Sequence, residues 1–248
     1  MSKKPFFIGW EETPATDPVQ KSKRWSMLAL VFGLTAIAIG AALQQGFRAE
    51  GKWDFTEKSF TGVLIADPYP TVVTDSGVYY LVLPTKHAVR GEDVAAMHLN
   101  SVEIIGSVIE DPNQPVAMIA VKSADAITST GVTSANPLQL ASSAKPVTLR
   151  GEIIDSKCAF GAMNPATLKP HRACAIACLT GGIPPVLLVR HDGGTRATHY
   201  LLVDDQGRSL TETAVKFAAL PIEVSGTVSS IGDWHILRAA PESIALLD

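Results

Sequence analysis

Apolar and polar positions divide the chain into two regimes. From Trp25 to Phe47 there are 23 residues without a charge, and Ser26–Leu43 within them is almost wholly apolar. An apolar run of about 20 residues, at about 1.5 Å rise each, spans a hydrocarbon core of about 30 Å. This predicts a transmembrane helix over 25–47. From Lys52 onward the pattern changes to short apolar runs broken by Gly, Pro, Asn and Asp, which predicts strands and turns.

The second regime repeats itself. Gly62-Val63-Leu64-Ile65 resembles Gly151-Glu152-Ile153-Ile154, and Tyr80-Leu81-Val82 matches Tyr200-Leu201-Leu202. Val102–Val108 matches Ile222–Val228. Tyr80 to Gly106 and Tyr200 to Gly226 are both 26 positions. Each unit predicts five short strands and one small helix. The first has strands near 60–66, 71–74, 78–83, 102–109 and 116–121, with a turn at Asp75-Ser76-Gly77 and a helix within Gly91–His98. The second has strands near 147–154, 185–190, 198–204, 221–228 and 234–238, with a hairpin at Asp192-Gly193-Gly194. Ser209-Leu210-Thr211-Glu212 reads as a capping box opening a helix to Phe217.

Three strands, a helix and two strands is the order of an OB-like barrel, whose closure removes exposed sheet edges. The expected architecture is all-β behind one N-terminal transmembrane helix, with two OB-like barrels in tandem. The segments are a tail 1–24, a span 25–47, a first barrel 52–128, a linker 129–145 rich in Ser, Thr, Ala and Asn, and a second barrel 146–248. One continuous β-sandwich is the alternative.

The repeat also locates an insertion. Gly62 to Tyr80 is 18 positions and Gly151 to Tyr200 is 49, so about 31 residues have been added to the second unit, over 155–184. All three cysteines, Cys158, Cys174 and Cys178, lie there, with Asp155, Met163 and His171. A helix over about 170–180, opened by Pro170 and stopped by Gly181, places His171, Cys174 and Cys178 on one face.

Three chemistries fit. Cys158, His171, Cys174 and Cys178 can ligate zinc or copper(I), although their spacing is not that of a standard zinc finger. Cys158 can instead pair with a helical cysteine as a disulfide, leaving one thiol over. A redox-active thiol is the third, with Arg172 and the helix N-terminus lowering a cysteine pKa. Asp155 reads as a cap of the insertion, a support to a metal ligand or a turn carboxylate. Met163 reads as packing, and His87, His98, His191 and His235 as structural or exposed. His199 is a remote candidate for an added ligand.

The same segment resembles small exported bacterial proteins of unassigned function. These carry an Asp-x-x-Cys element, a Cys-Ala-x-x-Cys-like helix, a Gly and a β-rich tail with a Gly-Thr-Val strand. Here the matching residues are Asp155-Ser156-Lys157-Cys158, His171–Cys178, Gly182 and the strand around Gly226-Thr227-Val228, within about 148–247. The resemblance implies export and brings no activity with it.

Charge sets the compartment. Lys21, Lys23 and Arg24 precede the span, with Lys3 and Lys4 upstream, and such clusters stay on the cytoplasmic side. The expected topology is a single-pass inner-membrane protein with its N-terminus in the cytoplasm and everything from Arg48 in the periplasm. A cleaved signal peptide, with small residues near Gly40–Ala42, is the alternative; the long tail and long run argue for an anchor. Removing the five basic and three acidic residues before the span leaves 16 basic and 21 acidic, net −5. That balance disfavours nucleic acid as a partner. Phe6-Phe7-Ile8-Gly9-Trp10 in the tail fits the bilayer interface or a neighbouring membrane subunit.

No Gly-x-Ser-x-Gly, Walker loop, dinucleotide fingerprint or His-Glu-x-x-His is present, so a hydrolase or transferase is disfavoured. The expected function is a membrane-anchored accessory protein or small subunit of a membrane complex, in contact with the bilayer and an integral-membrane partner, with a structural or metal-binding Cys/His site. The alternatives are metal delivery or thiol redox by the same cysteines, and a disulfide-stabilised interaction module.

Overall fold

The computed structural model describes residues 16–43, 51–132, 137, 144–192, 196–231 and 233–247. The Phe6–Trp10 patch, Gly193-Gly194 of the expected hairpin and most of the expected linker lie outside them.

Helix α1, Thr16–Leu43, forms one unit and residues 47–248 another. α1 starts nine residues before the expected span, inside the segment assigned to the tail, and its described part ends at Leu43. Lys21–Ala42 is long and apolar enough to cross a membrane, a property that anchors and signal sequences share. Trp25, Leu28, Phe32, Leu34 and Ile39 are all exposed on it, so its apolar surface faces outward on every side. Such a helix needs an apolar surrounding.

The second unit is all-β with small helices. Strands β1 (Lys52–Ile65), β2 (Thr71–Thr74), β3 (Gly77–Val82), β4 (Asn100–Glu110) and β5 (Val116–Val121) form the first barrel, in the order β1-β2-β3-β5-β4, closed by β4 on β1. The β3–β5 pair is parallel. The small helix α2 (Gly91–Val94) and a tight turn at Ala95–Met97 connect β3 to β4. β6 (Ile127–Val132) adds to the outside of β4. Its last four residues fall in the expected linker, so the first barrel reaches further than the sequence suggests.

The second barrel repeats this plan with β7 (Lys145–Asp155), β8 (Pro185–His191), β9 (Arg196–Val203), β10 (Pro221–Ile231) and β11 (Trp234–Arg238). β10 closes it by pairing with both β7 and β11, and β9–β11 is the parallel pair. Helix α4 (Thr211–Phe217) takes the place of α2, and β12 (Ile244–Leu246) adds to β10. These are two closed five-stranded barrels of OB-like type.

The internal repeat is a repeat of register. Gly62 faces Val102 and Gly151 faces Ile222; Lys58 faces Gly106 and Val147 faces Gly226. The paired glycines have a steric reason. A Cβ on Gly62 would stand 2.4 Å from the Val73 carbonyl oxygen, and one on Gly151 would stand 2.3 Å from that of Leu188. Each barrel bends where its second sheet strand crosses the first, and only glycine admits that crossing.

The barrels share a core. Tyr69, Tyr80, Val82, Ile109 and Met118 of the first pack with Ile154, Phe160, Val186, Leu201 and Trp234 of the second. Polar atoms inside the seam are satisfied across it. Tyr69 Oη donates to Leu202 O (2.8 Å) and accepts from Leu210 N (3.0 Å). Trp234 Nε1 donates to Tyr80 Oη (2.9 Å). The expected capping box does not form. Ser209 Oγ pairs with Thr211 Oγ1 at 2.8 Å, Leu210 is the residue preceding α4, and no side chain caps the helix.

Candidate metal centre

The insertion lies between β7 and β8, and both its ends are tied. Asp155 pairs with Pro185 at the end of the β7–β8 ladder. Ser156 donates to Pro184 O from its backbone (3.1 Å) and from its hydroxyl (2.7 Å). A wide helical turn follows at Cys158–Ala162, reversed by Gly161 at φ +131°. A Cβ at Gly161 would stand 2.3 Å from Lys52 N, so glycine answers both the backbone angle and the space.

Helix α3, Leu168–Thr180, then carries the remaining ligand candidates. It begins two residues before Pro170. The buried Glu152 carboxylate on β7 accepts from Leu168 N (3.0 Å) and is paired with Arg190, which places negative charge at the helix start. α3 ends at Gly181, as expected. Arg172 donates to Ala218 O (2.9 Å), at the end of α4.

Cys158, His171 and Cys174 come together, with one ligand atom of each within 4.8 Å of the others. Asp155, Cys158 and Cys178 form a second such group. Either group can hold a metal ion. Cys158 is common to both, so the four expected ligands surround it without forming one set of four at that distance. Cys158, His171 and Cys178 are buried, and Cys174 is half-buried. The three cysteines are free thiols, with Cys158 Sγ and Cys174 Sγ 3.8 Å apart.

Asp155 organises the group. Its Oδ1 accepts from Cys158 N (2.8 Å), and its Oδ2 lies 2.8 Å from His171 Nε2. Both side chains of that second pair are fully buried. With Nε2 turned to the carboxylate, His171 Nδ1 has no hydrogen-bond partner among the described residues. A buried ring nitrogen without a partner costs about 1–3 kcal/mol. Asp155 thus caps the insertion and orients the histidine.

The thiols interact electrostatically. A hydrogen bond with Cys178, then burial and the Asp155 charge, hold the Cys158 thiol far above its usual range. The same bond draws Cys178 downward against its own burial. The two thiols titrate as one coupled pair, in two separated steps.

Two cations that the sequence did not reveal lie where the first barrel meets the insertion: Lys86 from the barrel and Lys157 from the insertion itself. Lys86 Nζ donates to Cys174 Sγ (2.9 Å), a bond that raises the lysine pKa. Lys157 lies over the Trp53 ring (4.8 Å) and donates to Leu83 O and Thr85 O (2.6 Å each). Lys86 is 88 positions from Cys174, so no local pattern could have found it.

The other candidates stand apart. Met163 is exposed. His199 is buried edge-on against Phe160, and burial, with Arg190 adding, lowers its pKa to about 4. It is in neither ligand group. His98 accepts from Ala66 N, His191 pairs with Thr198 and His235 with Ser230.

The chain matches no family model, no curated protein and no solved structure. Its function is therefore read from this geometry.

Proposed function

We propose that this chain is a single-pass membrane protein whose double-barrel domain holds a zinc ion on Cys158, His171, Cys174 and Cys178. The carrying observation is His171: fully buried, fixed by Asp155 through Nε2, with Nδ1 left without a partner among the described residues and a ring nitrogen within 4.8 Å of the Cys158 and Cys174 sulfurs. Metal-bound histidines are held in this way by a carboxylate on the other ring nitrogen. Two further features support the reading. Sulfurs bound at about 2.3 Å to a tetrahedral zinc lie about 3.8 Å apart, the separation of Cys158 and Cys174. Three thiolates and Asp155 carry four negative charges, which Lys86 and Lys157 halve, so a divalent ion neutralises the cluster where copper(I) does not. Cys178 completes the tetrahedron by turning toward Cys158 from the next turn of α3.

The basic flank of α1, the net −5 of the remainder and the resemblance to exported bacterial proteins support a periplasmic site anchored in the inner membrane. The single span and the aromatic patch before it support a role as an accessory protein or small subunit beside an integral-membrane partner. Metal delivery is the active form of this role.

The test is metal analysis and a thiol count on the full chain, purified in mild detergent without reductant or chelator. The expected result is one zinc per chain and three thiols titratable after denaturation. One equivalent of copper would replace the metal named here. A metal-free chain with one disulfide and one thiol would leave only the disulfide-stabilised module.

A further inference from the structure

Three of the four ligands are sealed and one is not. Cys158, His171 and Cys178 expose 4%, 1% and 2% of their surface, whereas Cys174 is half-buried. What lies against Cys174 is the ammonium of Lys86, an exposed residue of the first barrel. The segment carrying Lys86 is fixed from beneath by the insertion itself. Lys157, next to Cys158, holds the Leu83 and Thr85 carbonyls. At the other end Ala88 N donates to Gly181 O (2.9 Å), at the residue that ends α3. A Cβ on Gly181 would stand 2.0 Å from Lys86 O, so the two backbones are in direct contact. The main chain around Lys86 is clamped while its side chain reaches from solvent onto one ligand.

We propose that the metal leaves and enters this site by exchange at Cys174, toward an acceptor that presents a thiolate, and that Lys86 sets the rate. This rests on the metal-site reading above and makes the site a donor as well as a staple. The acceptor thiolate bonds to the ion as the Cys174–metal bond breaks. The ion keeps its oxidation state, and the departing Cys174 sulfur keeps its electron pair. That sulfur stays hydrogen-bonded to the Lys86 ammonium, which keeps its proton. A cation on the leaving sulfur weakens its bond to the metal and stabilises the thiolate that departs. It also attracts an anionic acceptor to the one open side of the cluster. Cys158, His171 and Cys178 hold the ion until the acceptor's further ligands replace them.

The experiment uses the zinc-loaded full chain in detergent micelles. Dithiothreitol is the thiolate acceptor, and the chromophoric chelator 4-(2-pyridylazo)resorcinol reports transferred zinc. The expected rate rises with dithiothreitol concentration. It falls about tenfold in Lys86→Met, compared at equal zinc loading, the equivalent of one charge-assisted hydrogen bond of about 1.4 kcal/mol. Lys122→Met, which removes an exposed charge paired to Glu57, leaves the rate as it was. In a Cys174→Ser background, Lys86→Met has no further effect, a coupling that a merely structural lysine would not produce. Bound zinc that leaves at the same rate in Lys86→Met, or at a rate independent of dithiothreitol, would overturn the exchange route alone. A chain that arrives without metal overturns the site reading beneath it.

Discussion

Two residues carry opposite lessons about buried histidine. His171 sits on a carboxylate, and its orientation is its function. Asp155→Asn keeps the shape but weakens the hold on Nε2 and on Cys158 N. Zinc affinity should fall by about 10–100-fold, the usual cost of losing an outer-shell partner, as measured by chelator competition. Unchanged affinity would mean Asp155 only caps the turn. His199 is buried against Phe160, and its pKa of about 4 lies below the ordinary 6.5. The unfolded chain therefore binds a proton that the folded chain refuses. Stability from this group is complete above pH 6.5 and is lost progressively as pH falls toward 4, by about 3 kcal/mol at the end. Denaturant unfolding across that window should show His199→Gln losing less stability on acidification than the parent chain. Equal slopes would place His199 in a solvated site.

At the scale of elements, the sequence was legible wherever a pattern was local or repeated. The barrel strands, the insertion and the α3 stop at Gly181 follow from turn residues and from the two 26-position spacings. What was not legible was set by contacts and exposure in the folded chain. Ser209 and Glu212 have capping-box spacing, yet Ser209 bridges Val203 and its hydroxyl pairs with Thr211, and the box does not close. The last four residues of β6 fall in the expected linker because all of them are exposed, so the strand shows no alternation. Lys86 carries no local mark at all. The end of α3 is where such a contact can be tested. Gly181 has an ordinary φ of −76°, so its need for glycine is steric alone. Gly181→Ala should cost about 1–3 kcal/mol by overpacking and loosen the segment that carries Lys86. Thermal unfolding at the parent midpoint would contradict the close approach.

The two barrels behave as one body because their interior is continuous. Tyr69 and Tyr80 reach from the first into the second, and Phe160 of the insertion stacks on Tyr80 at 6.5 Å between centroids. Unfolding should therefore be a single transition for residues 47–248. Tyr69→Phe strands the Leu202 carbonyl and the Leu210 amide and should lower stability by about 1–3 kcal/mol without splitting that transition. Two resolved transitions would show that the barrels fold apart. This unity is what lets a lysine of one barrel serve a sulfur of the other. The measurement that bears most directly on the metal centre is zinc K-edge X-ray absorption on the full chain as purified. Three sulfurs at about 2.3 Å and one nitrogen at about 2.0–2.1 Å are expected. A shell of oxygen and nitrogen alone, or no absorber in the protein, would contradict the assignment.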